Sequence, residues 1–147
     1  MVWIAVLATS FSLGCQDLMQ KIPKGIPSLP GESADQPDLP LEGPVWMLKH
    51  IERTDLPASP TQPFAKFEAG VVSGFGGCNQ FKGTYTRSGD SIQVKQISAT
   101  KMFCENNDIE QRFLSNLQRS NKAYLKAGQL LTALNNDALL LFKAKKN

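Results

Sequence analysis

A chain of 147 residues accommodates one domain of ordinary size. With 41% hydrophobic and 20% charged residues, at least part of it builds a packed core. From Val45 onward there are 14 Lys/Arg against 8 Asp/Glu. The lysines are scattered, which argues against nucleic-acid binding: no basic stripe is interleaved with aromatics and no reader motif is present. The excess reads as a solvated surface, or more sharply as affinity for anionic lipid headgroups or envelope polymers.

The chain begins with an uncharged run, Val2-Trp3-Ile4-Ala5-Val6-Leu7-Ala8, and reaches Leu13-Gly14-Cys15 without a Lys or Arg. The run is too short for the ~20 residues a bilayer span needs and suits the apolar region of a signal peptide. Its end resembles a bacterial lipobox, with Ser12 where Leu is usual, so residues 1–14 are expected to be a lipoprotein signal peptide and Cys15 the lipidated N-terminus. The alternative is a plain cleaved signal. Gln16, in place of an Asp linked to inner-membrane retention, points to the periplasmic face of the outer membrane. Residues 15–44 are the expected anchor and tether. Six of the nine prolines fall there, mixed with Gly, Ser, Asp and Glu and few large apolar side chains. The folded domain is expected over 45–147.

Short strands and one helix follow. Val45–Ile51 is a first strand with Trp46 and Leu48 on one face, and His50 is expected on the exposed side opposite them. Residues 52–63 hold three prolines and read as loop. Phe64–Glu68 and Val71–Phe75 are strands around Gly70. Gly83–Arg87 and Ser91–Val94 flank a turn at Ser88-Gly89-Asp90. Asn107 is the expected N-cap of a helix to about Ser120, with Ile109, Phe113, Leu114 and Leu117 on its buried face. Strands over 122–127, 130–134 and 138–144 close the chain, with turns at Gly128-Gln129 and Asn135-Asn136-Asp137. The fold class is mainly β: a small curled or barrel-like antiparallel sheet of seven or eight strands capped by one helix.

The segment Gly74-Phe75-Gly76-Gly77-Cys78-Asn79-Gln80-Phe81-Lys82-Gly83-Thr84-Tyr85 concentrates the unusual residues. It is no dinucleotide fingerprint, because Asn79 stands where a third glycine is required and a strand follows instead of a helix. It is no phosphate loop, because Lys82 precedes Gly83. A structural role for Gly77, Asn79, Gly83 and Tyr85 fits better: glycines permit tight turns and bulges, and an Asn side chain bonds nearby backbone. With Cys15 assigned to lipid, Cys78 and Cys104 remain as an even pair. In an oxidising compartment they read as a disulfide, worth about 3.5 kcal/mol by loop-closure entropy. A metal site has little to work with, since His50 is the sole histidine and no Cys-x-x-Cys occurs; a reactive thiol stays open as a weaker alternative. Glu105, Asp108 and Glu110 complement the helix dipole more readily than they form an acid–base pair.

Gly77-Cys78-Asn79, Gly83, Tyr85 and Thr100-Lys101-Met102-Phe103-Cys104 together resemble the signature of the META/HslJ family, G-C-N-x-x-x-G-x-Y followed by T-x-M-x-C. Glu110, Phe113 and Leu117 match its E-x-x-[FL]-x-x-x-L helix, and the resemblance extends over about residues 45–144. It implies a stress-associated role in envelope integrity and tolerance of antibiotics or heat, without catalytic chemistry; joined to the lipobox-like start, the expectation is a non-enzymatic envelope lipoprotein with the membrane as partner through its anchor and with neither cofactor nor metal. Two other readings stand beside it. One is a binding module holding an apolar ligand or protein partner in its concave face; the other, weaker, is a thiol redox protein using Cys78 and Cys104.

Overall fold

The structure, a computed structural model, describes residues 38–105 and 107–145; the expected signal peptide, Cys15 and the tether as far as residue 37 lie outside the described residues. Nine strands and one helix follow in order: β1 (Val45–Ile51), β2 (Thr54–Asp55), β3 (Phe64–Glu68), β4 (Val71–Phe75), β5 (Gln80–Ser88), β6 (Ser91–Ala99), α1 (Asp108–Arg119), β7 (Lys122–Lys126), β8 (Gln129–Leu134) and β9 (Asp137–Ala144). All pair antiparallel in one sheet, in the order β2-β1-β3-β4-β5-β6-β7-β8-β9, and β1 also pairs with β9. The sheet thus curls into a ring. It is not a regular barrel, because β6 and β7 meet only at Ser91 and Lys122, where α1 is inserted between them in sequence.

Alternation decides which side chains enter the ring. On β5 the residues Phe81, Gly83 and Tyr85 are buried and their neighbours exposed; on β6 Ile92 and Val94 are. Trp46, Phe67, Phe113 and Phe142 are completely buried. Each contributes roughly 1.5–3 kcal/mol by leaving water. The helix supplies the centre of this core: the Phe113 ring stands edge-on to Phe81 at 5.5 Å and tilted against Phe142 at 5.9 Å. Phe113→Ala would cost about 3–5 kcal/mol, since three elements lose their common contact. The ring is therefore filled by its own side chains at its centre.

Sequence and structure part in several places. His50 is not exposed: only 5% of it reaches solvent. The span 52–63 is not all loop, because β2 returns along the end of β1 and its register sets Asp55 opposite His50, where the carboxylate meets Nδ1. Across β1, a register shift after Leu48 sets His50 beside buried Leu141. A hairpin over one edge and an apolar neighbour on the other thus close over the imidazole.

The buried face of α1 is also rotated. Glu110, Phe113, Asn116 and Leu117 are buried, whereas Ile109 is 40% exposed. Asn116 is accommodated because its Nδ2 donates to Glu52 Oε1 at 3.2 Å. Asn107 holds the N-cap position without a side-chain cap bond, its Oδ1 accepting from Gln111 Nε2 instead.

The folded domain begins earlier than the prolines imply. Leu41 is 3% exposed, Trp46 Nε1 donates to the Leu41 carbonyl at 2.8 Å, and Ala127 N–H donates to Asp38 Oδ1 at 2.8 Å. Residues 38–44 belong to the domain: two leucines and an acceptor for a buried indole outweigh the extended bias of Pro40 and Pro44.

Candidate functional site

Between β4 and β5 the chain reverses in four residues, Gly76 to Asn79, and the backbone N–H groups there need partners other than a strand. Gly76 N–H donates to the Asn79 carbonyl at 2.8 Å, and Gly77 adopts φ +116°, a conformation suited to glycine. The remaining donors meet a carboxylate. Glu110, in the first turn of α1 and 7% exposed, accepts from Cys78 N–H at 3.2 Å and Asn79 N–H at 2.5 Å through Oε2, and from Asn79 Nδ2 at 2.9 Å through Oε1. A Cβ on Gly76 would lie 2.7 Å from Glu110 Cγ and Oε2, so any larger residue there forces the Glu110 side chain to shift.

Asn79 is the other half of this hub. Its Oδ1 accepts from Met102 N–H at 2.7 Å and from Thr100 Oγ1 at 3.0 Å, while its Nδ2 also lies 3.3 Å from Cys78 Sγ. Thr100 Oγ1 in turn accepts from Gln80 N–H at 3.2 Å, and Thr100 N–H donates to the Gln80 carbonyl at 3.0 Å. Cys78 and Cys104 form a disulfide with their Cα atoms 6.1 Å apart. One side chain of α1, one turn and the loop after β6 are thus locked by a buried carboxylate, a buried amide and a covalent bond. Charge-assisted bonds of this kind are about twice as strong as neutral ones.

Chemically the hub is closed. The Glu110 carboxylate receives three donors and serves as a fixed acceptor for the turn. His50 is turned to Asp55, and among the described residues its buried Nε2 has no hydrogen-bond partner. Among the described residues no three His, Cys, Asp or Glu side chains are grouped to hold a metal.

The motif residues divide between two places. Gly77, Cys78, Asn79 and Cys104 join in the hub. Gly83 sits farther along β5, at a register shift against β6, where a Cβ would lie 3.0 Å from the Lys95 carbonyl. Tyr85 is farther still: its ring stands edge-on to Phe67 at 5.1 Å, and its hydroxyl donates to Glu42. Burial first, and then the bond to the Glu42 carboxylate, push the Tyr85 phenol up to about 12. Glu110 is the hub residue that a dipole argument undervalues. Its signal was its place on the α1 stripe, three residues before Phe113 and seven before Leu117, where an unpartnered acid would be out of place.

The sequence pattern of the META domain matches residues 39–147. The chain belongs to the META domain family. The match starts where packing against the ring starts, with Leu39 against the core. No curated protein matches the chain. Among solved structures, an NMR structure of a protein from Burkholderia xenovorans is 23% identical, covers 83% of this chain and 100% of its own, and superposes with a TM-score of 0.59. A second NMR structure is 23% identical, covers 68% of this chain and 87% of its own, and has a TM-score of 0.56. The crystal structure of a DUF4847 family protein from Bacteroides vulgatus is 14% identical, covers 73% and 96%, and has a TM-score of 0.54. These likenesses establish the META-type fold and nothing about activity.

Proposed function

We propose that this META-domain protein works without catalysis, as an envelope lipoprotein anchored through Cys15 on the periplasmic face of the outer membrane. Its role there is in envelope integrity under stress, including heat and antibiotics. The observation that carries the non-catalytic reading is the closure of the hub: Glu110 and Asn79 direct their polar atoms at backbone N–H groups, Thr100 and the disulfide. The occupied centre of the ring weighs against an apolar ligand held there. The Leu13-Gly14-Cys15 sequence supports the anchor.

Two measurements test this. Cys15→Ser in a bacterial host should abolish fatty-acid labelling and release the protein from membranes; unchanged labelling sinks the anchor. Asn79→Ala, in a deletion strain under envelope stress, should lose complementation only in proportion to its loss of folded protein. Wild-type stability with no complementation would make the hub a functional contact instead of a scaffold.

A further inference from the structure

The sheet closes without residues 38–44. β1 is hydrogen-bonded to β3 on one side and to β9 on the other, and the segment adds only a bridge from Glu42 to Phe67. It runs from the β7–β8 turn, where Asp38 accepts from Ala127 N–H, to β5, where Glu42 accepts from the Tyr85 hydroxyl. Between these contacts Leu41 is buried, and its carbonyl accepts from the Trp46 indole. The segment therefore has the form of a bound peptide: one apolar side chain in a slot, with acceptors on either side.

Gly43 and Pro44 join this segment to β1. Gly43 has φ +105°, and a Cβ there would meet nothing within 4 Å among the described residues. Backbone conformation, and not crowding, calls for glycine at this pivot. Beside it lies an open cavity of about 310 Å³, lined by Leu39, Gly43, Pro44, Val45, Ala144 and Lys145, which leaves the pivot room to turn.

We propose that residues 38–43 are a clasp that swings out on Gly43 and uncovers a site for a peptide of another protein, one carrying an apolar residue followed by an acid. The chemistry of the site is read from its present occupant. The three groups that the clasp releases, Ala127 N–H, the Trp46 indole and the Tyr85 hydroxyl, all act as donors in the closed form, so a replacement must bring acceptors. The slot of Leu41 asks for one apolar side chain between them. The charges that stay behind favour an acid: Lys126 precedes Ala127, Lys145 lies beside the pivot, and the Arg87 charge acts on the Tyr85 hydroxyl. The acids nearest these contacts in the chain are Glu68, paired with Lys66 at 2.8 Å, and Asp90, beyond Arg87 after the end of β5. The closed clasp competes with any ligand, so apparent affinity is scaled by the fraction of open chains. This inference does not depend on the anchor at Cys15.

Two measurements on the full chain test this. Ala127 N–H and the Trp46 indole N–H belong to different elements yet are covered by one segment. Hydrogen exchange in the wild-type protein should therefore give them one common protection factor, about tenfold or more below that of the β3–β4 ladder. A synthetic peptide of residues 38–44 is the binding probe, read by Trp46 emission in a chain carrying Trp3→Phe, where Trp46 is the only tryptophan. Glu42→Gln in the chain should tighten peptide binding about fivefold, and Leu41→Ala about 30-fold, each with a cooperative melt and by raising the open fraction. Glu42→Gln in the peptide should weaken it about fivefold on chains with Tyr85 and leave it unchanged on Tyr85→Phe. Unequal protection factors, or protection as high as that of the ladder, would overturn the proposal. So would a folded Glu42→Gln chain whose Trp46 emission ignores the peptide, binding indifferent to the peptide's acid, or a wild-type dimer with clasps exchanged between copies.

Discussion

Two segments of irregular chain are fastened to the ring, and they are fastened differently. At one end, the Gly76–Asn79 turn and the loop to Cys104 are held by Glu110, Asn79 and the disulfide. At the other, residues 38–44 are held by Leu41 in the core, by the indole bond of Trp46 to the Leu41 carbonyl, and by Tyr85 on Glu42. The turn buries backbone N–H groups that no strand can serve, so it needs acceptors of fixed geometry, and a carboxylate on a neighbouring helix provides them. The N-terminal segment is held by one buried leucine and by single hydrogen bonds that tie Leu41, Glu42 and Asp38 to β1, β5 and the β7–β8 turn. The hub therefore concentrates its bonds on two side chains and a disulfide, whereas the N-terminal segment spreads single contacts along its length.

The largest expected effect is Glu110→Ala. It strands two backbone N–H groups and the Asn79 amide in a buried site, so chemical denaturation should show a loss of about 3–5 kcal/mol. A loss smaller than that of Leu41→Ala would break the contrast between the two segments. Replacing both Cys78 and Cys104 by Ala should cost about 3.5 kcal/mol in the same measurement through restored unfolded-state entropy. Calorimetry should then show a lower melting temperature with the transition still cooperative.

Leu41→Ala should cost about 2–3 kcal/mol as a cavity left under the N-terminal segment. Faster amide exchange confined to residues 38–44 would sharpen the claim that this segment is attached independently of the hub. The smallest effect belongs to Tyr85→Phe, about 1 kcal/mol near neutral pH from one lost hydrogen bond. Its pH dependence is more telling. The folded phenol titrates at about 12 against an ordinary 10.0, so the fold favours the protonated form. That stabilisation is complete below pH 10 and is lost as pH rises towards 12. The stability advantage of wild type over Tyr85→Phe should shrink across that interval in denaturant melts; a constant difference would remove the buried-phenol account.

Much of the ring was legible because alternation is a local property. β1 and β3 have the expected bounds, and so does β4, since each is a short run ending in turn residues. β5 and β6 were expected too short because Gln80-Phe81-Lys82 and Lys95–Ala99 lack a strong apolar signal; their pairing across a register shift extends them. β2 has only two residues, both exposed, and exists because His50 and Ile51 offer it an edge. The hub was half legible. Asn79 among glycines announces a bonded turn, but the acceptor lies 31 residues later on another element.

By itself, the sequence determined the class of this protein: β alternation, one amphipathic helix, a cysteine pair, and the motif whose spacing marks the META family. Those properties reside in neighbouring residues and need no partner from elsewhere in the chain. Only the tertiary structure decided which face of α1 is buried, that Glu110 serves the turn before β5, that residues 38–44 join the domain, and that Phe103 stands outside it. Each of those outcomes depends on what a distant segment places alongside, and burial is a property of the whole packed chain.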